Sequence, residues 1–347
     1  MNTSNTKASI LLIYTGGTRG MKEDPVDKTL RPFDFDQILS EVPELGKFAL
    51  KIDSYTFDPL IDSSDVEPSL WVSLARLIAK EHDNYDGFVI LHGTDTMAYS
   101  ASALSFMLEG LDKCVVFTGS QLPISTLRTD GKENLVSAVE IASAKDAVGR
   151  SRVPEVTVFF GSTLLRGNRT TKADSSSFTA FRSPNCPPLA EAGIKIVYND
   201  ALIRRPAPGE KFRIRTCLDT SVSVLKIHPG ITPDLAEYFL CGPKTRASVI
   251  ETYGSGNAIS KAWFTDIIRK ADGMGKVLLN VTQCMGGGVD MDLYATGKAL
   301  KQAGVVSGYD ITTECALAKL FFLLGAYDST EKIKSLLDEN LRGEITK

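Results

Sequence analysis

Residues 86–110 read DGFVILHGTDTMAYSASALSFMLEG. An almost unbroken apolar run over 86–92 gives way to a polar loop, Gly93-Thr94-Asp95-Thr96, and the chain then turns helical. A strand that faces water on one side alternates polar with apolar. One without alternation is covered on both faces, as in a parallel sheet with helices above and below. The same pattern recurs in SILLIY (9–14), FALKIDSYTF (48–57), CVVFTG (114–119) and EVTVFFG (155–161). Helical stretches separate these runs. SLWVSLARLIAKEH (69–82) sets Leu70, Trp71, Leu74, Leu77 and Ile78 on one face, with Pro68 near its start. Residues 95–110 and 133–147 read the same way.

Two irregular, Pro-rich segments follow, RSPNCPPLAEAG (182–193) and RRPAPGEKF (204–212). A second βα series then begins, with strands expected within 221–230, 247–254 and 276–283. Its helices are expected over 233–240, 259–271, 295–304, 312–325 and 330–341. The expected fold is α/β, two doubly wound domains with mostly parallel sheets. The larger spans 1–203, a linker 204–220, and the smaller 221–347.

Composition narrows the function. The 347 residues, 43% hydrophobic, suffice for two cores. The formal net charge of -3 is spread without a basic stripe, so no nucleic-acid partner is expected. No apolar run reaches the ~18 residues of a membrane span. The start, MNTSNTKASILLIYTGG, has neither a basic n-region nor a small-residue cleavage site, and reads as a polar tail entering the first strand. Cys114, Cys186, Cys217, Cys241, Cys284 and Cys315 show no CxxC or paired spacing, so mostly buried free thiols in a reducing, cytoplasmic setting are expected. Three scattered histidines and no HExxH imply no metal site, and no cofactor is expected.

In open parallel sheets, ligands bind beyond the carboxyl ends of the strands. Here those ends carry TGGT (15–18), DSSD (62–65), GTDT (93–96) and GSQ (119–121). These loops are rich in hydroxyls, carboxylates and glycines and hold no His, Cys or Glu. A threonine hydroxyl is a poor nucleophile without an adjacent base. A lysine kept neutral by burial or a coupled charge is the base left, and GNRTTKAD (167–174) supplies Lys172. Asp95 is placed to orient it, giving a Thr–Lys–Asp set on triad logic. Plainer readings stand beside this one. TGGT is compatible with an ordinary turn, GTDT with a helix cap at Thr94 or Asp95, and Lys172 with a solvated side chain. Glycine loops before helices also cradle phosphates, but GxGxxG, GxxxxGK[ST] and GxSxG are all absent.

At these residues the chain resembles the bacterial-type L-asparaginases, in particular the cytoplasmic type I branch. The matching pieces run in order over about 9–345: YTGGT, DSSD, DGFVILHGTDTMAYSASALSFMLE, TGSQLP, RGNRTTKA, SPNCPPLAEAGI, YGSGN, NVTQCM and YATGKAL. The resemblance implies an L-asparagine amidohydrolase, with weaker L-glutamine activity. Thr15 is implied as the nucleophile on a mobile lid, and Thr94, Asp95 and Lys172 as the second cluster. Ser63 is implied to hold the substrate α-carboxylate, flanked by Asp62 and Ser64, and Asp95 to meet the α-ammonium. Asn257 is implied to reach an active site across a subunit interface, in a homodimer or dimer of dimers. Attack by water instead of Thr15 is the alternative mechanism. An amidotransferase component and a catalytically weak amino-acid sensor are alternative functions.

The chain departs from the family pattern at three places. The lid tyrosine of many members falls near Leu30, and none occurs in MKEDPVDKTLRPF (21–33). An arginine expected for a second, regulatory asparagine site is Glu251, although Cys284 and Thr171 match. Arg19 stands where the family places an aliphatic residue. It is expected to swing outward toward Glu23 or Asp24, with Gly16 and Gly17 freeing the backbone, Thr18 structural and Gly20 a hinge point.

Overall fold

The computed structural model describes residues 7–16, 21–23, 30–32 and 40–347, with backbone only for 21–23 and 30–32. The expectations for Gly17, Thr18, Arg19, Gly20 and Asp24, and for the side chains of Glu23 and Leu30, lie outside the described residues. The chain divides into two units, 1–214 and 215–347.

The first unit runs β1 (Ser9–Tyr14), the antiparallel pair β2 (Met21–Glu23) and β3 (Leu30–Pro32), β4 (Lys51–Thr56), α1 (Pro68–Glu81), β5 (Gly87–Leu91) and α2 (Met97–Met107). It continues with β6 (Leu108–Glu109), β7 (Cys114–Thr118), α3 (Gly131–Ser143), β8 (Val156–Phe160) and β9 (Thr163–Arg166). The ribbon β10 (Thr171–Lys172) and β11 (Phe181–Arg182), then β12 (Ala190–Ala192), β13 (Ile196–Tyr198) and β14 (Arg213–Ile214), complete it. The main sheet has the order β4-β1-β5-β7-β8-β9-β12-β13. Its first five strands pair in parallel and the last three antiparallel. The antiparallel end corrects the sequence reading, which left 182–193 irregular. Strands of three or four residues beside prolines carry too little periodicity to register.

β1 has β4 on one side and β5 on the other. The winding direction reverses there, which makes the carboxyl ends of β1 and β5 the switch point of the sheet. One face of the sheet packs Ile10, Leu12, Val89 and Val116 under Leu135, Ala138, Val139 and Ala142 of α3. Each fully buried Leu, Ile or Val here contributes about 1.5–3 kcal/mol, and each Ala less. The fit is tight, for a Cβ at Gly87 would lie 2.3 Å from the Ala142 carbonyl oxygen.

α1 buries Leu70, Trp71, Leu74, Ala75 and Ile78, while Leu77 of the expected stripe is only half-buried. α2 is not one-faced, because every residue in it except Tyr99 is buried. Its Ala and Ser side chains let backbone approach closely. A Cβ on Gly167 would meet the Cβ of Ala101 at 3.1 Å. The serines are satisfied internally, with Ser105 Oγ donating to the Ala101 carbonyl at 2.7 Å.

The second unit contains β15 (Val222–Lys226), α4 (Pro233–Cys241), β16 (Ala247–Thr252), α5 (Ala262–Gly273), β17 (Val277–Thr282), α6 (Ala295–Gln302), β18 (Val306–Ser307), α7 (Thr313–Ala326) and α8 (Thr330–Asp338). All four strands are parallel, in sequential order β15-β16-β17-β18. Leu225, Ile250 and Leu278 pack against Ala236 and Leu240 of α4 and Phe264 and Ile268 of α5. Deep in this unit Lys319 Nζ meets Glu344 Oε1 at 2.7 Å, with both side chains at most 1% exposed. The three buried thiols are Cys114, Cys186 and Cys315; Cys217 and Cys284 are exposed, unlike the buried sites expected of most of the six.

Candidate active site

Thr15 is the first residue after β1, and Gly93–Thr96 follows β5, so both stand at the switch point. Thr15 is 2% exposed and tightly held. Its N–H and its Oγ both donate to the Leu91 carbonyl, at 3.1 and 3.0 Å, and its own carbonyl accepts from Ile61 N–H at 2.9 Å. The next residue must be glycine. Gly16 has φ +123°, and a Cβ there would lie 2.3 Å from the Ile61 carbonyl oxygen.

Across the crevice, Lys172 reaches two partners from the β10–β11 ribbon. Its Nζ donates to Thr94 Oγ1 at 2.9 Å and pairs with Asp95 Oδ1 at 2.5 Å. The ribbon is anchored where Phe181, the cross-strand partner of Lys172, is buried against Phe160 with ring centroids 5.0 Å apart. Thr94 is buried, whereas the Asp95 side chain is 60% exposed. Asp95 is thus open to a ligand while one of its oxygens holds the lysine.

The DSSD loop forms a single helical turn, Ser63–Asp65, capped by Asp62. Asp62 Oδ1 accepts from both the N–H and the Oγ of Ser64, each at 2.9 Å, so these two residues brace the turn. Ser63 is buried and joins the GTDT loop. Its Oγ lies 3.4 Å from both Asp95 Oδ2 and Asp95 N, and its carbonyl accepts from Thr96 Oγ1 at 2.6 Å.

Beneath the loop lies a group that motif reading missed. His92 is fully buried, and burial pushes it down to about 4, so it is neutral at ordinary pH. Its Nδ1 is 2.7 Å from the Gly93 carbonyl and its Nε2 is 3.0 Å from Ser100 Oγ, which accepts from Trp71 Nε1 at 2.8 Å. Asp130 was missed as well. It receives the Gln121 and Leu122 N–H groups at 2.9 and 3.1 Å, fixing the loop after β7. An apolar strand whose last residue is histidine was the one available signal for the first group.

Asn257 belongs to the second unit, where it follows β16. It exchanges backbone hydrogen bonds with Tyr253 at 2.8 and 2.9 Å, and its Oδ1 accepts from Thr296 Oγ1 at 2.8 Å. Glu251 on β16 accepts from Thr313 Oγ1 at 2.7 Å and lies 3.7 Å from Lys226. Among the described residues no helix is long and apolar enough to cross a membrane.

A buried threonine held by a lysine that an exposed carboxylate orients is an arrangement for moving a proton at an acyl centre. Residues 9–204 match the family described as Asparaginase, N-terminal, and residues 221–337 match the Glutaminase/Asparaginase C-terminal domain. L-asparaginase 1 of Escherichia coli K12 is 45% identical over 345 residues, 98% of either chain. The 60 kDa lysophospholipase of Mus musculus is 41% identical over 97% of this chain and 62% of that protein. The crystal structure of L-asparaginase I from Vibrio cholerae has a TM-score of 0.88 at 40% identity, covering 98% of this chain and 99% of that one. Both parts of the chain carry the family's match, and the chain belongs to the asparaginase family of hydrolases.

Proposed function

We propose that the protein hydrolyses the side-chain amide of L-asparagine to aspartate and ammonia, with Thr15 as nucleophile. The observation that carries this reading is the contact of Lys172 Nζ with both Thr94 Oγ1 and Asp95 Oδ1 beside the strand end bearing Thr15. A zwitterionic amino acid needs an anion site and a cation site close together. Ser63 Oγ serves the α-carboxylate, and the exposed Asp95 carboxylate serves the α-ammonium; Asp62 and Ser64 hold the Ser63 turn. Thr15 Oγ forms a bond to the amide carbon and its proton passes through the Thr94–Lys172 side to the departing ammonia. Water then cleaves the β-aspartyl ester. The Thr94 N–H stabilises the developing oxyanion. One methylene is worth only ~1–3 kcal/mol in such a pocket, so glutamine is turned over more weakly. Asn257 completes a neighbouring subunit's site in a homodimer or dimer of dimers, and the enzyme works in the cytoplasm.

Ammonia release from asparagine and glutamine, with Thr15→Ala and Lys172→Met alongside, tests the assignment. Activity on asparagine that both substitutions abolish supports it, and full activity in both variants overturns it. A second reading, an amino-acid binder with weak turnover, is favoured by one observation: Thr15 Oγ–H is tied to the Leu91 carbonyl rather than to a base. Tight asparagine binding in a calorimeter without ammonia release would select it.

A further inference from the structure

We infer that His92 is a positioning residue for the reaction: through the Gly93 carbonyl it fixes the plane of the Gly93–Thr94 peptide and so aims the Thr94 N–H at the reacting carbonyl. The inference rests on the reading of the GTDT loop as the reaction site.

The proton order of the buried chain has one solution. An indole N–H only donates, so the contact of Trp71 Nε1 with Ser100 Oγ at 2.8 Å uses the hydroxyl as acceptor. The single Ser100 proton is then free to go to His92 Nε2, 3.0 Å away. That nitrogen must be unprotonated, which leaves the proton on Nδ1, facing the Gly93 carbonyl at 2.7 Å. The other neutral tautomer would set two lone pairs against each other at that distance. Trp71 on α1, Ser100 on α2 and His92 just after β5 therefore form a chain that donates in one direction and ends on the loop.

The imidazole has little room to shift. His92 N–H donates to the Thr118 carbonyl at 3.0 Å, and Phe117 stands edge-on at 5.7 Å. A Cβ on Gly119 would come within 2.4 Å of the His92 carbonyl oxygen. The consequence for the loop follows from peptide geometry. The Gly93–Thr94 bond is trans, so its C=O and N–H point in opposite directions. With the carbonyl held down by His92, the N–H of Thr94 is turned away from the core. It makes no hydrogen bond among the described residues, although Thr94 is buried. A buried donor held in one orientation, with no partner among the described residues, is what a developing oxyanion requires.

The test compares two amides of different reach. Asn carries its N–H₂ at the place of His Nδ1, and Gln carries it at the place of Nε2. Three variants are made: His92→Asn, His92→Gln and His92→Leu. Removing or misaiming one oxyanion donor costs ~10²–10³ in kcat at most, and a tilted donor costs less, about 10–100-fold. The expected result is kcat within about 3-fold of wild type for His92→Asn and a 10–100-fold lower kcat for His92→Gln and His92→Leu, with KM little changed. Equal losses in Asn and Gln variants, or an effect confined to KM, would overturn the inference. A second readout is independent of turnover and of the function assigned above. With ¹⁵N-threonine labelling, the Thr94 amide resonance should keep its position in His92→Asn and move in His92→Gln, and the reverse or no movement overturns the proposal. If His92→Leu does not fold, Ser100→Ala takes its place: it removes the proton donor to Nε2, and an unchanged kcat and Thr94 resonance would likewise overturn it.

Discussion

The main sheets of the two units share a run of parallel strands, yet the proposed catalytic residues gather at the strand ends of the first. The second unit runs β15-β16-β17-β18 in sequence order with no reversal. The first reverses at β1, so Thr15 and the Gly93–Thr96 loop leave neighbouring strands at the divide. Register makes the point concrete: Tyr14 pairs with Leu91, which sets Thr15 beside His92 and the GTDT loop just beyond. A reversal in winding order parts the helices to opposite faces and leaves a crevice at the strand ends. The buried charges of the two units differ to match. Lys172 is 18% exposed and faces the crevice, while Lys319 is 1% exposed and spends its donors on Glu344 and the Leu337 and Glu339 carbonyls. In the proposed reading the first lysine serves a substrate, while the second secures the C-terminal segment.

That contrast predicts opposite phenotypes. Lys172→Met removes the proposed proton carrier, and kcat should fall about 10²–10⁴-fold with the melting temperature nearly unchanged. Lys172→Arg should not restore activity, because a guanidinium cannot act as a base. Steady-state kinetics beside thermal melts would show it, and a variant that loses stability but not kcat would break the comparison. Lys319→Met should do the reverse. It leaves Glu344 as an uncompensated buried charge and should cost about 3–5 kcal/mol in urea unfolding, with kcat per folded enzyme unchanged.

Acidification should separate the units further. His92 is held at about 4 in the fold, against about 6.5 in an unfolded chain. Between these values the unfolded state binds the extra proton, so stability should drop as the pH falls from about 6.5 to about 4, by about 3 kcal/mol. His92→Asn should flatten that limb of a plot of stability against pH, and an unaltered slope would contradict the buried neutral imidazole. Burial pushes the Glu344 carboxyl up, but Lys319 and two backbone N–H groups together hold it below the usual carboxylate range, so it acts at lower pH. Its contribution is present above the ordinary glutamate value of about 4.3 and is lost as pH falls through the folded value. The smallest expected effect belongs to the proposed exception. Asn257→Ala, in the second unit, should raise KM about 10-fold with kcat retained, the size of one lost hydrogen bond. An unchanged KM would confine the substrate site to the first unit.

The central strands were legible because Ile10–Tyr14, Phe88–Ile90 and Cys114–Phe117 are apolar without alternation, a pattern that fits a doubly covered sheet. The antiparallel end of the first sheet was not, because β9, β12 and β13 are too short for a period to show. α2 was found as a helix but misread as one-faced: its alanines and serines are small for close approach, not polar for solvent. The Thr94, Asp95 and Lys172 cluster was legible from residue chemistry at strand ends. The His92 chain was not, since residues 71, 92 and 100 lie on three elements and meet only through the fold. The proposed roles of Arg19 and Leu30 fall on a stretch whose side chains the structure does not describe.

The most direct test of the proposed chemistry is intact-protein and peptide mass spectrometry on enzyme mixed with asparagine and quenched in acid within the first turnover. The account predicts a mass gain of one β-aspartyl group on the peptide carrying Thr15, absent in Thr15→Ala. An adduct on Thr94, or a burst of ammonia ahead of aspartate with Thr15 unmodified, would contradict it.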